Sequence, residues 1–302
     1  MIPDRPLLGI LLMLGFCIMA PLGDALAKVL GQTVPLGILL LARFAIQALL
    51  LLPIIAVTGR TWRLTGKILY LAWLRAALHI IGIGAMFTAL VYLPLADAVA
   101  IAFVMPFIML ILGHYVLGEE IGMRRIIACA VGFIGTLLVI QPAFENAGWP
   151  ALLPLVVAVV FSLFMLVTRL IAKNIDPISL QGVNGVMAVI ILTPLVFLFR
   201  DSGIALFEVK MPNGQEWLLL LAIGTLGTVA HLFMTWSLRF APSATLAPMQ
   251  YLEIPFATFV GWFVFQELPN GLAAIGILIT ITAGLYIVMR ERAMNQPAPS
   301  VP

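Results

Sequence analysis

One stretch of about thirty residues occurs twice in this chain, and that duplication limits the folds open to it. ALVYLPLADAVAIAFVMPFIMLILGHYVLGE runs from Ala89 to Glu119, and SLRFAPSATLAPMQYLEIPFATFVGWFVFQE from Ser237 to Glu267. Pro94 matches Pro242, Pro106 matches Pro255 and Glu119 matches Glu267. Each copy has a proline corner, an apolar run of membrane length broken by a further proline, and an acidic stop. Proline inside a spanning helix frees backbone groups that lipid cannot satisfy, so such helices line protein interiors or cavities. A duplicated apolar unit with broken helices is the pattern of a secondary transporter.

Composition agrees with a membrane setting. The 302 residues are 63% hydrophobic and 10% charged, with a mean hydropathy of +1.16. A soluble domain is excluded, and a net charge of +3 on such a chain points to no nucleic-acid partner. Cys17 and Cys129 sit far apart in apolar runs without CxxC spacing, so neither a disulfide nor a metal site is expected. Residues 7–27 have the length of a signal peptide. Asp24 before the small-residue site and the weakly charged start favour a retained first helix.

The apolar runs predict an all-α polytopic membrane protein with ten spanning helices, near 7–28, 35–57, 67–92, 95–117, 124–141, 149–171, 178–199, 216–238, 243–265 and 271–290. Breaks are expected at Leu93-Pro94, Gln141-Pro142, Asp176-Pro177 and Ala241-Pro242, among others. Residues 200–215 read as an amphipathic surface segment. Repeat one spans 7–141 and repeat two 149–290, with a disordered tail over 291–302. Pro53 pairs with Pro194, and Lys28 with Lys173. Five helices per half is odd, so the halves enter the membrane from opposite sides as inverted repeats, with a site at their interface.

Basic residues set the orientation. Arg5, Arg60, Arg63, Lys67, Arg124, Arg125, Arg169, Lys173, Arg239, Arg290 and Arg292 fall on one side, and Lys28, Arg200 and Lys210 on the other. The positive-inside rule then puts both termini in the cytoplasm.

Ionisable groups within spans are the site candidates. Glu253 lies about ten residues, or ~15 Å, into the ninth span. Its repeat counterpart is apolar (Val104 or Met105), so the scaffold itself does not require an acid there. It is the candidate for substrate binding and proton coupling, with a structural pairing as the alternative. Gln250 shares its face at i−3, whereas Tyr251 points elsewhere. Arg75 and His79, one turn apart, meet a substrate or pair with Glu253; alternatively Arg75 snorkels to the headgroups and His79 is a core residue. Arg43 and the matching Asn184 are a helix clamp or a substrate contact. His231 and His114 are weaker candidates. Asp24, a turn before Lys28, reads as interfacial, and Asp97 as a helix-start carboxylate. Trp236, Phe233, Trp262, Phe103 and Phe107 are candidates for stacking on a flat ring. Three GxxG pairs, at 132/135, 182/185 and 224/227, suit close helix packing and suggest dimerisation only weakly. Zinc-protease, nucleophile-elbow and Walker A motifs are absent from the sequence, so no catalytic residue is assigned, and an intramembrane enzyme or a channel is the distant alternative to a carrier.

The strings LADAVAIAFVMPF, VLGEEIGMRR and GFIGTLLVIQP resemble the first EamA unit of the drug/metabolite transporter superfamily, and SATLAPMQYLEIPFATFVGWFVFQE resembles the second. The likeness covers roughly residues 7–290. PLLGILLMLGF, PLGDALAK, LLLARFAIQALLLLP and YLPLADAVAIAF resemble the branch that holds bacterial riboflavin transporters and S-adenosylmethionine carriers. The resemblance implies a bacterial inner-membrane permease without a cofactor, monomeric or a weak dimer, in a lipid bilayer. Its expected substrate is a small metabolite: riboflavin first, then S-adenosylmethionine, or exported amino acids and related metabolites.

Overall fold

The computed structural model describes residues 5–118, 123–241 and 246–294. Glu119, Pro242 and the tail beyond Met294 lie outside the described residues, as do the side chains of Cys129, Arg124, Arg125, Arg290 and Arg292. The described residues form α1 (Pro6–Leu30), α2 (Leu36–Val57), α3 (Gly66–Tyr92), α4 (Leu95–Ala102), α5 (Met105–Leu117), α6 (Met123–Ala147), α7 (Leu153–Ala172), α8 (Pro177–Phe199), α9 (Gly214–Phe240), α10 (Glu253–Phe265) and α11 (Gly271–Met294). No strand occurs among them. Eight spans, counting α4–α5 as one and joining Trp149–Leu152 to α7, are long and apolar enough to cross a membrane. Gly271–Ala283 adds a shorter apolar stretch.

Helix ends follow local chemistry. Pro6, Pro154 and Pro177 occupy first-turn positions, where the missing N–H has no intrahelical partner to lose. The Asp176 side chain accepts from Ser179 N at 3.1 Å, and Asn213 with Glu216 closes a reciprocal capping box. Gln141-Pro142 is not a break: α6 runs through it to Ala147. Pro142 lacks the donor to Leu138 O and its ring crowds that carbonyl, yet the helix continues until Gly148 at φ 71° ends it. Residues 200–213 form a loop with one 3-10 turn, Ala205–Phe207, pinned by Phe207 against Phe199, and α9 begins at Gly214.

Both copies of the repeated stretch are broken before their inner proline. The α4–α5 break falls at Phe103–Val104, ahead of Pro106. In the second copy a 3-10 turn, Ala247–Leu252, precedes α10 and Pro255. Proline clashes with the carbonyl four residues back, and a neighbouring side chain reaches a backbone oxygen close to each break. Ser162 donates to Met105 O at 3.2 Å, and the Cys17 thiol approaches Met249 O at 3.6 Å. Ser162 stands eleven residues before Lys173, as Cys17 does before Lys28. Both copies also end alike, with Gly118 (φ 70°) and Gln266 (φ 57°) left-handed at matching positions. Glycine adopts that conformation freely, and Gln266 is the only described non-glycine residue with positive φ.

The helices pair α1 with α9, α3 with α7, α2 with α8, α6 with α11, and α4 with α10. Glycines set the closest crossings. A β-carbon on Gly135 would lie 2.5 Å from Thr280 Oγ1 and 2.7 Å from Gly276 O. One on Gly185 would lie 3.0–3.1 Å from Ala48 N and Phe44 O. All three GxxG pairs are consumed in packing within the chain: Gly132 meets Phe107, Gly182 meets Ile55 and Gly224 meets Ile46.

Candidate functional site

One cavity among the helices has about 760 Å³ of unfilled space, including open solvent at its mouth. It lies between α1, α2, α3, α4, α7, α9 and the start of α10. Its walls are mainly Phe16, Phe87, Phe103, Phe161 and methionine and small side chains. Four ionisable residues interrupt them: Asp24, Arg43, His231 and Glu253. Apolar walls with a few convergent polar groups are the kind of lining that takes a small organic ligand.

Glu253 reaches the wall because the 3-10 turn ends there, making it the first residue of α10. Arg43 is almost fully buried on α2. Its Nη2 lies 3.3 Å from His231 Nδ1, its guanidinium carbon 4.9 Å from the Phe44 ring centre, and its Nη1 has no protein partner. His231 Nδ1 also lies 2.9 Å from Gly227 O, and its Nε2 is unpartnered.

Asp24 corrects the interfacial expectation. Lys28 turns away from it, donating to both Glu267 oxygens at 2.7–2.8 Å and to Leu93 O at 2.9 Å. Asp24 instead lines the cavity, on the face of α1 that carries Phe16, Ala20 and Gly23. The missed signal was helical spacing: positions 16, 20, 23 and 24 share one face. Glu267 acts at the bundle boundary, tying the end of α1 to the end of α10.

Arg75 neither snorkels nor meets Glu253. It is fully buried, with Nε donating to Thr168 Oγ1 at 2.8 Å, Nη1 to Asn184 Oδ1 at 2.8 Å, and Nη2 to Gln181 Oε1 at 2.9 Å and Thr235 Oγ1 at 3.4 Å. Phe164 lies under its guanidinium at 4.5 Å. A buried cation held by four neutral oxygens and a ring face keeps its hydrogen bonds without a counter-ion. His79 Nδ1 is 3.0 Å from Asn184 Nδ2, and Gln47 and Gln181 bond reciprocally. These residues form a polar layer across α2, α3, α7, α8 and α9, next to the cavity. His79 and His231, with ring centres 4.4 Å apart, join the two.

Of the sequence candidates, Glu253 and Arg43 line the cavity, with His231. Arg75 and His79 belong to the polar layer. Gln250 is buried beside it, with Nε2 3.2 Å from Met165 Sδ. Tyr251 packs on Phe103 with centres 5.4 Å apart. Trp236 packs on Leu51, Ile55 and Leu232. Of the five proposed stacking rings only Phe103 faces the cavity; Phe16, Phe87 and Phe161 supply the rest. Which ring of an all-apolar helix points inward depends on helix rotation, and composition does not encode it. Asp97 is in the first turn of α4 as expected, and His114 is exposed beside Tyr115. No cluster of three or more potential metal ligands occurs among the described residues.

Known proteins give the arrangement its context. A riboflavin transporter of Rhizobium johnstonii is 30% identical over 226 residues, 74% of this chain and 72% of the relative. A riboflavin transporter of Brucella anthropi is 26% identical, covering 88% and 92%. An S-adenosylmethionine uptake transporter of Rickettsia felis is 24% identical, covering 89% and 88%. A crystal structure at 19% identity superposes with a TM-score of 0.66, covering 96% of this chain and 98% of the other, and so shares the fold. The EamA-like transporter family matches twice, over residues 7–141 and 148–290. With its apolar spans, this chain is a multi-span membrane protein that belongs to the EamA-like transporter family of the drug/metabolite transporter superfamily.

Proposed function

We propose that this chain carries riboflavin into the cell across the bacterial inner membrane by alternating access. The observation that carries the reading is the cavity, whose phenylalanine and methionine walls suit a flat ring system and whose four ionisable residues suit its polar edge. Relatives named riboflavin transporter supply the specific candidate.

The ten spans take α4–α5 as the fourth and the Ala247–Leu252 turn with α10 as the ninth. Inverted five-helix halves are supported by the pairing. Exchanging the halves turns the α1–α9 contact into the α7–α3 contact, and maps α2–α8, α4–α10 and α6–α11 onto themselves. Basic residues put both termini in the cytoplasm. The cavity then lies from the midplane outward, and the Arg75 layer closes it from the cytoplasm. Transport requires that layer to part while the outer halves close, with the proline breaks taking up the bending. Glu253 is the proposed proton-coupling residue, able to carry a charge or a proton at the cavity wall. With the GxxG glycines used internally, a monomer is the proposed state.

A second reading, S-adenosylmethionine uptake, is favoured by Asp24 and Glu253, two carboxyl groups suited to a cationic substrate, and by relatives of that name. The deciding experiment is complementation of a riboflavin auxotroph lacking its own importer. Growth on low riboflavin with saturable uptake of labelled vitamin supports the assignment. No rescue despite verified membrane expression removes it, and labelled S-adenosylmethionine is then assayed in the same cells.

A further inference from the structure

Arg43 is placed in an unusual way. Its guanidinium lies on the bare backbone of α9 at Gly227: a β-carbon there would fall 2.9 Å from Nη2, 3.0 Å from Nε and 3.1 Å from Cζ. Only glycine leaves room for it. The inner edge of the fork is held by Gly227 and by His231 Nδ1 at 3.3 Å, while Nη1 has no partner in a residue 2% exposed. A buried N–H without an acceptor is costly, and such groups are found where something else completes them. His231 Nε2 is unpartnered as well, whether Nδ1 serves Gly227 O or Arg43. Both residues line the cavity, together with Asp24 and Glu253.

The surroundings narrow what could complete the fork. His231 meets Phe16 edge-on at 5.6 Å, with Phe161 and Phe164 rings each at 6.2 Å. A flexible polyhydroxyl chain would leave its hydroxyls facing these rings unpaired. A planar ring bearing an oxygen stacks among them and offers that oxygen to Nη1. Asp24 and Glu253 accept hydrogen bonds when ionised, which suits a ring N–H beside such an oxygen.

We propose that Arg43, seated on Gly227 and flanked by His231, is the anchor for a lactam or imide edge of a flat heterocyclic substrate, with the ring carbonyl taken by Nη1. The anchor rests on reading the cavity as the substrate site but not on the substrate being riboflavin.

The test measures binding to the full-length protein in lipid nanodiscs. The probes are riboflavin, lumiflavin (the same ring without its sugar-alcohol chain) and pterin, a smaller lactam heterocycle. Riboflavin and lumiflavin are expected to bind within about threefold of each other, because the ring carries recognition. Arg43→Gln and Gly227→Ala are each expected to weaken binding of every probe that binds by tenfold or more. Arg43→Lys, which keeps the charge without the fork, recovers only part of the loss. Melting temperatures near the native value separate lost recognition from lost folding. Binding left within twofold by both Arg43→Gln and Gly227→Ala overturns the anchor, as does riboflavin binding without lumiflavin binding or no binding by any probe. Arg43-dependent pterin binding with no flavin binding keeps the anchor and removes riboflavin; riboflavin uptake unchanged in Arg43→Gln does the reverse.

Discussion

Asn184→Leu tests the polar layer most directly. Asn184 Oδ1 is the acceptor for Arg75 Nη1, and its Nδ2 lies 3.0 Å from His79 Nδ1. The two threonines around Arg75 have other partners, since Thr168 and Thr235 each donate to a carbonyl one turn back at 2.7 Å. Replacing Asn184 with a side chain of similar volume removes a hydrogen bond to a charged group, about 1.5–3 kcal/mol, and strips a buried histidine nitrogen of its partner, about 1–3 kcal/mol. The expected destabilisation is roughly 3–5 kcal/mol. At ~2 °C per kcal/mol, the low end for a chain of this size, thermal unfolding in detergent should fall by about 6–10 °C. Asn184→Asp keeps an acceptor and adds a counter-charge to Arg75. It should melt at or above the native temperature and transport more slowly, because under the proposed alternating access the layer parts in each cycle. A leucine variant melting within ~2 °C of native refutes the energetic argument. An aspartate variant transporting at the native rate refutes the gating role.

Three further outcomes follow from other contacts. Gly135→Ala forces the α6–α11 crossing apart, because its β-carbon would sit 2.7 Å from a backbone oxygen; a loss of about 1–3 kcal/mol is expected. Gly214→Ala, which meets nothing within 4 Å, should melt as the native protein does, and equal effects would sink the packing account. Glu253→Gln should abolish accumulation driven by an imposed pH gradient in proteoliposomes while equilibrium exchange continues; unchanged accumulation removes the coupling role. Lys28→Met and Glu267→Gln, tested singly and together, should show a coupling of about 0.5–1 kcal/mol in unfolding, because the Lys28–Glu267 pair is partly exposed; additive losses would mean that the ion pair contributes nothing.

What the sequence made legible was local. Proline at fixed places in two apolar runs predicts broken helices at Pro106 and Pro255, and both are broken there. Glu253 and Arg43 stood out as ionisable groups in apolar runs, and both face the cavity. The misses came from judging by place along the chain or by opposite charge. Asp24 reads as interfacial because it stands a turn before Lys28, yet it lines the cavity while Lys28 reaches Glu267, 239 residues away. Arg75 was offered a carboxylate or the headgroups. It found Gln181, Asn184, Thr168 and Thr235, neutral groups whose convergence exists only once four helices have packed. Gln141-Pro142 was read as a stop because proline usually ends a helix, but α6 carries the residue without breaking.

The differences between the halves say more about transport than their likeness. Arg43 stands ten residues before Pro53, and Asn184 ten before Pro194. The matching side chains reach neighbours along α9 and α3 respectively, His231 in one case and His79 in the other. A charged fork facing open space at one end thus corresponds to a neutral amide filling a closed layer at the other. Asp24 and Arg169 stand four residues before Lys28 and Lys173. Asp24 faces the cavity, whereas Arg169 donates to Leu238 O at 2.6 Å. An exact duplicate would offer equivalent cavities from either side, with no built-in preference for the end that opens. At the cavity end Arg43 Nη1 has no partner, whereas at the other end every Arg75 nitrogen is bonded; the two histidines are alike, with Nε2 of His231 and of His79 both unpartnered. Under the proposed alternating access, a substrate that completes Arg43 Nη1 would remove the cost of burying it unpaired. On that proposal, ligand binding and gate closure would be coupled through an arginine that the repeat does not share.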